Sequence, residues 1–230
     1  MPVVSIIGNG RIARPIRDRL DDAPGWALGR VLVRRDAPDI AGAVTGEDAF
    51  FSYPADLIID AAGPAALRQH GLRCLAHADL WTIGTAALAD DGFRQELEAE
   101  ASRHGRQVRL FSNGLAAPLP RAEHLYITIR RPGLDDPWSG PLRDAVLRHP
   151  DELNSAVAAA LAGPGVDKTR VTLEDSGPGG EHALYAEGTT SCGRWKRSVH
   201  FISPDASMIH PVSAQILEAL RREIQAFRFD

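Results

Sequence analysis

Hydrophobic residues in the first half of the chain follow two patterns that alternate with each other. Short β-branched or aliphatic runs predict strands at 3–7, 26–33, 57–60, 80–83 and 108–111. Longer segments with one apolar face predict helices at 11–20, 64–78 and 90–104. Strands that alternate with helices are typical of a parallel sheet covered on both faces, so this half is predicted to be α/β.

The pattern changes from about residue 121. Strands are predicted at 125–129, 169–173, 182–187 and 195–202, and helices at 140–149 and 154–162. This order is typical of an α+β block. The tail places apolar residues three or four apart between Ile209 and Phe227, which predicts a final helix with one buried face.

A glycine-rich segment lies between the first strand and the first helix. It has the pattern G-x-G-x-x-A, formed by Gly8, Asn9, Gly10, Arg11, Ile12 and Ala13. The first glycine permits a tight turn, the second lets the backbone approach a pyrophosphate, and the alanine allows close helix packing. The free N–H groups at the helix N-terminus suit an anion. We therefore predict a dinucleotide-binding Rossmann domain, with a purely structural turn as the alternative.

The end of the second predicted strand bears on the choice of cofactor. A NAD site is expected to carry an acidic residue there, about 20 residues after the glycines. Here the strand runs into Arg34 and Arg35, followed by Asp36. If Arg34 holds the selector position, its guanidinium can bind a 2′-phosphate, which favours NADP over NAD. The alternative is that Asp36 is the selector and the arginines are solvated.

Composition narrows the class further. The 230 residues are 44% hydrophobic and 24% charged with a net charge of −4, as in an ordinary globular protein. Basic and acidic residues are interleaved, so nucleic acid is not an expected partner. With two distant cysteines, Cys74 and Cys192, we expect neither a disulfide scaffold nor a metal site. No apolar run is long enough for a membrane span and the N-terminus lacks a signal-like segment, so a cytoplasmic protein is expected.

Several segments of the chain resemble the motifs of the L-aspartate dehydrogenase family, which is related in architecture to dihydrodipicolinate reductase and homoserine dehydrogenase. They are DAAG at 60–63, FSNGLA at 111–116, RRP at 130–132, LNSAVA at 153–158 and HPVS at 210–213. The resemblance covers nearly the whole chain and is most specific between 138 and 175. It implies a Rossmann domain over 1–120, a smaller α+β substrate domain over 121–208, and a helix over 209–230 that packs back on the first domain.

The resemblance also implies roles for individual residues. Ala61, Ala62 and Gly63 correspond to a cofactor-binding segment, Asn113 and Gly114 to contacts on the nicotinamide side, and Asn154 to a cofactor-contacting asparagine. His182 corresponds to the family's active-site histidine. The chain departs from the family at Glu181, which replaces an asparagine, at 113–116, and at 210–213, where only the proline and the serine are kept.

The residues themselves support part of this assignment. His182 follows a glycine- and proline-rich loop and begins a predicted strand, where an imidazole can face a cleft and exchange protons near neutral pH. A surface or core histidine is the alternative, and for Asn154 the alternative is a helix cap. Arg130, Arg131, Lys168 and Arg170 are candidates for binding substrate carboxylates by chemistry alone, with solvated surface charges as the alternative.

The resemblance implies an NAD(P)-dependent amino-acid dehydrogenase or imine reductase. Hydride would pass between the nicotinamide and Cα of L-aspartate or iminosuccinate, so the expected partner is a dicarboxylic amino acid or imine. A homodimer is also expected from the family. Two alternatives stay open: a reductase of a different imine or 2-oxo acid, and a dinucleotide-binding regulatory protein without turnover.

Overall fold

The fold is described from a computed structural model, which covers residues 1–20, 25–116, 122–201 and 209–224. The chain divides into two compact units. The first comprises Met1–Phe111 together with Ile209–Asp230, and the second comprises Ser112–Met208.

Within the described ranges, the first unit contains a six-stranded parallel sheet. Its strands are β1 (Val3–Ile7), β2 (Ala27–Leu32), β3 (Ala43–Val44), β4 (Leu57–Asp60), β5 (Asp79–Thr82) and β6 (Val108–Leu110). They lie in the order β3-β2-β1-β4-β5-β6, so the order reverses between β1 and β4. The predicted strands are confirmed, with ends that shift by a residue or so. The two-residue β3 is too short to show a hydrophobic pattern, and it was not predicted.

The helices of this unit follow its strands. They are α1 (Ala13–Leu20), α2 (Glu47–Phe51), α3 (Pro64–His77) and α4 (Asp91–His104), with a 3-10 helix at Thr85–Ala89. Asp90 caps α4 by accepting a hydrogen bond from the Phe93 N–H. The prediction over 11–20 began too early, because residues 11 and 12 form a turn. The 3-10 helix and α2 were not predicted, since five residues are too few to reveal a helical period.

The second unit contains a mixed five-stranded sheet among its described residues. Its elements are β7 (His124–Arg131), β8 (Trp138–Pro141), α5 (Leu142–Arg148), α6 (Asn154–Ala162), a 3-10 helix (Val166–Lys168), β9 (Thr169–Asp175), β10 (His182–Thr190) and β11 (Gly193–Phe201). The strand order is β11-β10-β7-β9-β8, and only the β7–β9 pair among these is parallel. The helix predicted at 140–149 begins at Leu142, because residues 138–141 pair with β9 instead.

The last helix, α7 (Pro211–Glu223), belongs to the first unit. Its Ile216 and Leu220 share a buried cluster with Ile16 and Leu20 of α1. The predicted stripe is confirmed at Val212, Ile216 and Leu220, which are buried, but not at Ile224, which is 45% exposed at the end of the helix. The predicted ends at Ile202 and Phe227 lie outside the described residues. No helix in the described ranges has the length and apolar character that a bilayer crossing requires.

Candidate functional site

The glycine loop joins β1 to α1 at the carboxyl edge of the parallel sheet. Gly8 adopts φ of +102°, a conformation that L side chains rarely reach. A Cβ at this position would lie 3.0 Å from the Ala62 Cβ and 3.3 Å from the Ala61 carbonyl carbon. The Gly8 N–H donates to the Leu32 carbonyl at 2.8 Å. Glycine is therefore needed both for the turn and for the close packing of this loop on residues 61 and 62.

The second half of the loop presents its backbone outward. Gly10 is exposed, and a Cβ placed on it would meet no atom within 4 Å. The first helical hydrogen bond runs from the Arg14 N–H to the Gly10 carbonyl at 3.0 Å. The N–H groups of Arg11 and Ile12 precede this bond and have no acceptor within the helix. Open space at Gly10, N–H groups without an acceptor within the helix and the positive end of α1 fit a pyrophosphate.

Two side chains from helices hold the glycine loop in place by hydrogen bonds. Arg17 donates from Nη1 to the Asn9 Oδ1 at 2.6 Å. Ser213, fully buried in α7, donates from Oγ to the Ile12 carbonyl at 2.9 Å. The sequence indicated Ser213 only as the serine kept in the HPVS segment. Its contact with the loop joins residues 201 positions apart, which no local pattern reveals.

Asp60 organises the segment that follows β4. Its Oδ2 accepts from the Thr82 hydroxyl at 2.7 Å and its Oδ1 from the Ala62 N–H at 3.0 Å. The Thr82 Oγ1 in turn accepts from the Gly84 N–H at 2.9 Å. Burial raises the pKa of Asp60 to about 6, against the opposing effect of these hydrogen bonds. A carboxylate that ends the apolar run LIID is the sequence signal that could have singled out this residue.

The two selector candidates follow β2. Arg34 and Asp36 are both exposed, directly after the buried Val33. Since Gly8 bonds to Leu32, the end of β2 lies beside the glycine loop. The geometry therefore leaves both residues available to the adenosine end of a dinucleotide.

In the second unit, residues 112–115 form a tight turn. Its central residues, Asn113 and Gly114, have φ of +54° and +80°, and the Leu115 N–H donates to the Ser112 carbonyl at 3.1 Å. Asn113 donates from Nδ2 to the Ser155 Oγ at 2.7 Å. The turn is thereby held beside the start of α6. Among the described residues, the buried Asn113 Oδ1 has no hydrogen-bond partner.

Asn154 is the first residue of α6. Leu153 occupies the cap position, so the alternative of Asn154 as the helix cap is wrong. The Asn154 Nδ2 donates to the Asp151 carbonyl at 3.3 Å. The Asn154 side chain is half-buried at the N-terminus of this helix.

His182 begins β10 and is half-buried. Its ring lies 4.8 Å from the ring of Phe201, its partner in the β10–β11 register. Arg197 of β11 is paired with Ala186, four residues after His182, and therefore lies on the same face of the sheet. Arg197 donates from Nη1 to the Ala116 carbonyl at 2.8 Å. It is a cation that the sequence analysis did not single out.

Two of the three arginines proposed from sequence are already paired. Arg130 binds Glu174 at 2.8 Å, and Arg131 binds Glu152 at 2.7 Å. Lys168 and Arg170 are exposed. The pairing disfavours Arg130 and Arg131 as carboxylate receptors, because each already neutralises a carboxylate of the chain.

Glu181, which departs from the family pattern, is part of another local cluster. Its Oε2 lies 3.0 Å from the His200 Nδ1, and its Oε1 accepts from the Tyr185 hydroxyl. The His200 contact is the main cause that holds the pKa of Glu181 below its ordinary value. The candidate residues thus fall in two groups, the first unit holding 8–12, 34 and 61–63, and the second holding 113, 114, 154 and 182.

A parallel sheet of this order, with a glycine loop after its first strand, is typical of Rossmann-fold proteins that bind dinucleotides. Residues 8–110 match the family model described as homoserine dehydrogenase, NAD binding domain. The chain is 31% identical to an L-aspartate dehydrogenase from Ruegeria pomeroyi, over 98% of this chain and 94% of that protein. This chain therefore belongs to the L-aspartate dehydrogenase family, and it is an NAD(P)-dependent oxidoreductase.

Two further comparisons agree with this assignment. L-aspartate dehydrogenase 2 from Bordetella pertussis is 29% identical, with 79% of this chain and 81% of that protein covered. The crystal structure of aspartate dehydrogenase from Thermotoga maritima superimposes with a TM-score of 0.78 at 23% identity, over 100% of both chains. The second likeness shows that the two chains share one fold.

Proposed function

We propose that this enzyme oxidises L-aspartate to iminosuccinate with NAD(P)⁺ and catalyses the reverse reductive amination of oxaloacetate. The observation that carries the proposal is the match to the Ruegeria pomeroyi L-aspartate dehydrogenase, because it extends over both units. A match to the dinucleotide domain alone would leave the substrate open. NADP is the favoured cofactor, because the Arg34 guanidinium can bind its 2′-phosphate.

Different segments of the chain are proposed to bind different parts of the cofactor. The pyrophosphate is held by Gly8, Asn9, Gly10, Arg11 and Ile12, with the N–H groups at the start of α1 as its donors. Ala61, Ala62 and Gly63 line the carboxyl end of β4, and Asn113, Gly114 and Asn154 contact the nicotinamide side. When bound, the nicotinamide accepts or donates hydride at C4, and the protein supplies orientation and electrostatics.

His182 is the proposed acid–base residue. In the oxidative direction the Cα–H bond breaks and hydride leaves with the bonding pair, while the amine gives a proton to the imidazole and C=N forms. The imidazolium then returns this proton to the imine nitrogen, and water adds to the carbon while the neutral imidazole accepts a proton from the water. That proton passes to the amine nitrogen, and ammonia leaves as the hydroxyl loses its proton and C=O forms. Imidazole suits this exchange because it binds and releases protons near neutral pH.

A dicarboxylate substrate needs a cation, and the structure favours Arg197. Arg197 shares a sheet face with His182, and its described bond is to a carbonyl rather than to a carboxylate. Its guanidinium therefore keeps donors and a full charge for a substrate carboxylate. Arg130 and Arg131 are proposed to be structural, since both sit in ion pairs.

Steady-state oxidation of NADH and of NADPH, with oxaloacetate and ammonia, tests these roles. The H182A variant is expected to lower kcat by about 10²- to 10⁴-fold, the usual contribution of a general acid–base group. The R197A variant is expected to raise KM for oxaloacetate about tenfold, because a charged hydrogen bond is lost. R170A is the matched control, since Arg170 pairs in register with Tyr126 on the opposite face and should leave both constants unchanged.

Equal rates for wild type and H182A would remove His182 from the mechanism. An R170A effect as large as that of R197A would remove Arg197 as a specific receptor. Turnover of another 2-oxo acid without turnover of oxaloacetate would support a different imine reductase. Tight cofactor binding without any turnover would support the regulatory alternative.

A further inference from the structure

Two loops meet at the carboxyl edge of the parallel sheet, next to the glycine loop. One loop follows Asp60, the last residue of β4, and the other follows Thr82, the last residue of β5. A Cβ on Gly84 would lie 2.6 Å from the Gly63 carbonyl oxygen and 3.1 Å from the Asp60 Oδ2. The two loops are therefore in direct backbone contact, and glycine at position 84 is what permits it.

The buried Asp60 connects these two loops by hydrogen bonds. The carboxylate is 1% exposed, and Thr82 is 0% exposed. Among the described residues, the Thr82 hydroxyl and the Ala62 N–H donate to the carboxylate. A buried carboxylate without a cation is costly for folding. These two donors, one at each loop, are the compensation that the structure provides.

The loop that Asp60 fixes supports the glycine loop directly. Ala61 and Ala62 are the residues against which Gly8 packs. A displacement of residues 61 and 62 would move the turn whose N–H groups face the pyrophosphate. The connection from Thr82 through Asp60 and Ala62 to Gly8 is continuous and made of short contacts.

We propose that Asp60, acting with Thr82, is a positioning residue that holds the two loops beneath the dinucleotide and so sets cofactor affinity. The inference rests on the proposed binding of the cofactor at the glycine loop. Asp60 does not touch the reacting atoms in this account. Its effect passes through Ala62 to Gly8 and through Thr82 to Gly84.

The protonation of Asp60 gives this role a distinctive pH dependence. The ionised carboxylate accepts a hydrogen bond from each of its donors. The protonated carboxyl carries its own O–H, so one of its oxygens becomes a donor that faces other donors. Since the pKa of Asp60 is about 6, this change falls in an accessible range. Cys74 of α3 also interacts with Asp60, but burial raises the pKa of its thiol, so Cys74 stays neutral throughout. Cofactor affinity is therefore expected to fall as the pH drops through about 6.

Equilibrium binding of NADH, followed by its fluorescence between pH 5.5 and 8, tests the proposal without turnover. NADH is the probe because it lacks the 2′-phosphate, which titrates in the same range. At pH 8, D60N and T82V are expected to weaken binding about tenfold, while T82S keeps the hydroxyl and restores it. D56N is the matched control, because Asp56 accepts from the Val3 N–H at the opposite end of β4. Wild type should lose affinity at low pH, and D60N should not.

Each variant's unfolding transition is measured alongside, and T82V carries the test if D60N does not fold. Wild-type affinity in D60N and T82V would overturn the proposal. So would a T82S variant as weak as T82V, a D56N variant as weak as D60N, or a pH dependence that persists in D60N. The G10A variant tests the cofactor site separately from Asp60, since it fills the open space at the glycine loop and leaves Asp60 intact. If G10A loses binding while D60N and T82V keep it, only the positioning role of Asp60 is overturned. A wild type that binds neither NADH nor NADPH would overturn the cofactor site as well.

Discussion

At position 34 an arginine stands where a NAD-specific site is expected to place a carboxylate. Arg34 is exposed at the carboxyl edge of the sheet, and Asp36 is exposed two residues later. A guanidinium binds the 2′-phosphate of NADP in a bidentate manner and does not hinder the binding of NAD. A carboxylate, in contrast, repels the 2′-phosphate. The two side chains therefore predict opposite cofactor preferences.

Replacing each residue separately distinguishes them. R34A is expected to weaken NADPH binding about tenfold and to leave NADH binding unchanged, because a charge-assisted contact to the 2′-phosphate is lost. D36A should leave both affinities near those of the wild type. Dissociation constants for the two reduced cofactors measure this. If D36A weakens NADH binding and R34A changes neither affinity, Asp36 is the selector and NAD the cofactor.

Residues whose role depends on distant partners were the hardest to predict. The glycine loop was predictable because its pattern is local and every position has a stated steric reason. Ser213 and Asp60 were not, since Ser213 acts on Ile12 and Asp60 on Thr82, far away in sequence. The same limit applied to Arg197, which shares a face with His182 only after β10 and β11 pair.

Among the elements, the second sheet has two unlike faces. Leu125, Ile127 and Ile129 of β7 are buried on one face, whereas Tyr126 is 54% exposed on the other. Strand periodicity predicted this alternation. The short β8 was missed because WSGP carries glycine and proline, and its place in the sheet depends on pairing with β9.

We expect the homodimer implied by the family to form through the sheet face that carries Tyr126, because this large aromatic side chain is exposed there. In solution the mass is expected to be twice the 24.8 kDa of one chain, as measured by light scattering. Y126E should shift the mass towards the monomer, since a charge would replace an aromatic side chain in the interface. L147E is the control, because Leu147 of α5 is 83% exposed and lies outside this strand. A monomeric wild type, or dimers in both variants, would contradict the assignment.

At the scale of the whole molecule, the chain leaves its first unit at Phe111 and returns to it at Ile209. The α7 helix that returns contributes Ile216 and Leu220 to the core and Ser213 to the glycine loop. Alternating strands and helices made the α/β class predictable, and a final amphipathic helix was predictable too. Its hydrogen bond to the loop was not, because amphipathicity shows that a face is buried and not what it contacts.

We propose that this enzyme transfers hydride to Cα of an imine formed from oxaloacetate and ammonia. The decisive measurement uses reduced cofactor carrying deuterium at both C4 positions, with the products analysed by mass spectrometry. The expected product is aspartate with one deuterium at Cα. Deuterated malate would show reduction of the ketone instead of the imine, and either this product or aspartate without the label would rule out hydride transfer to the imine.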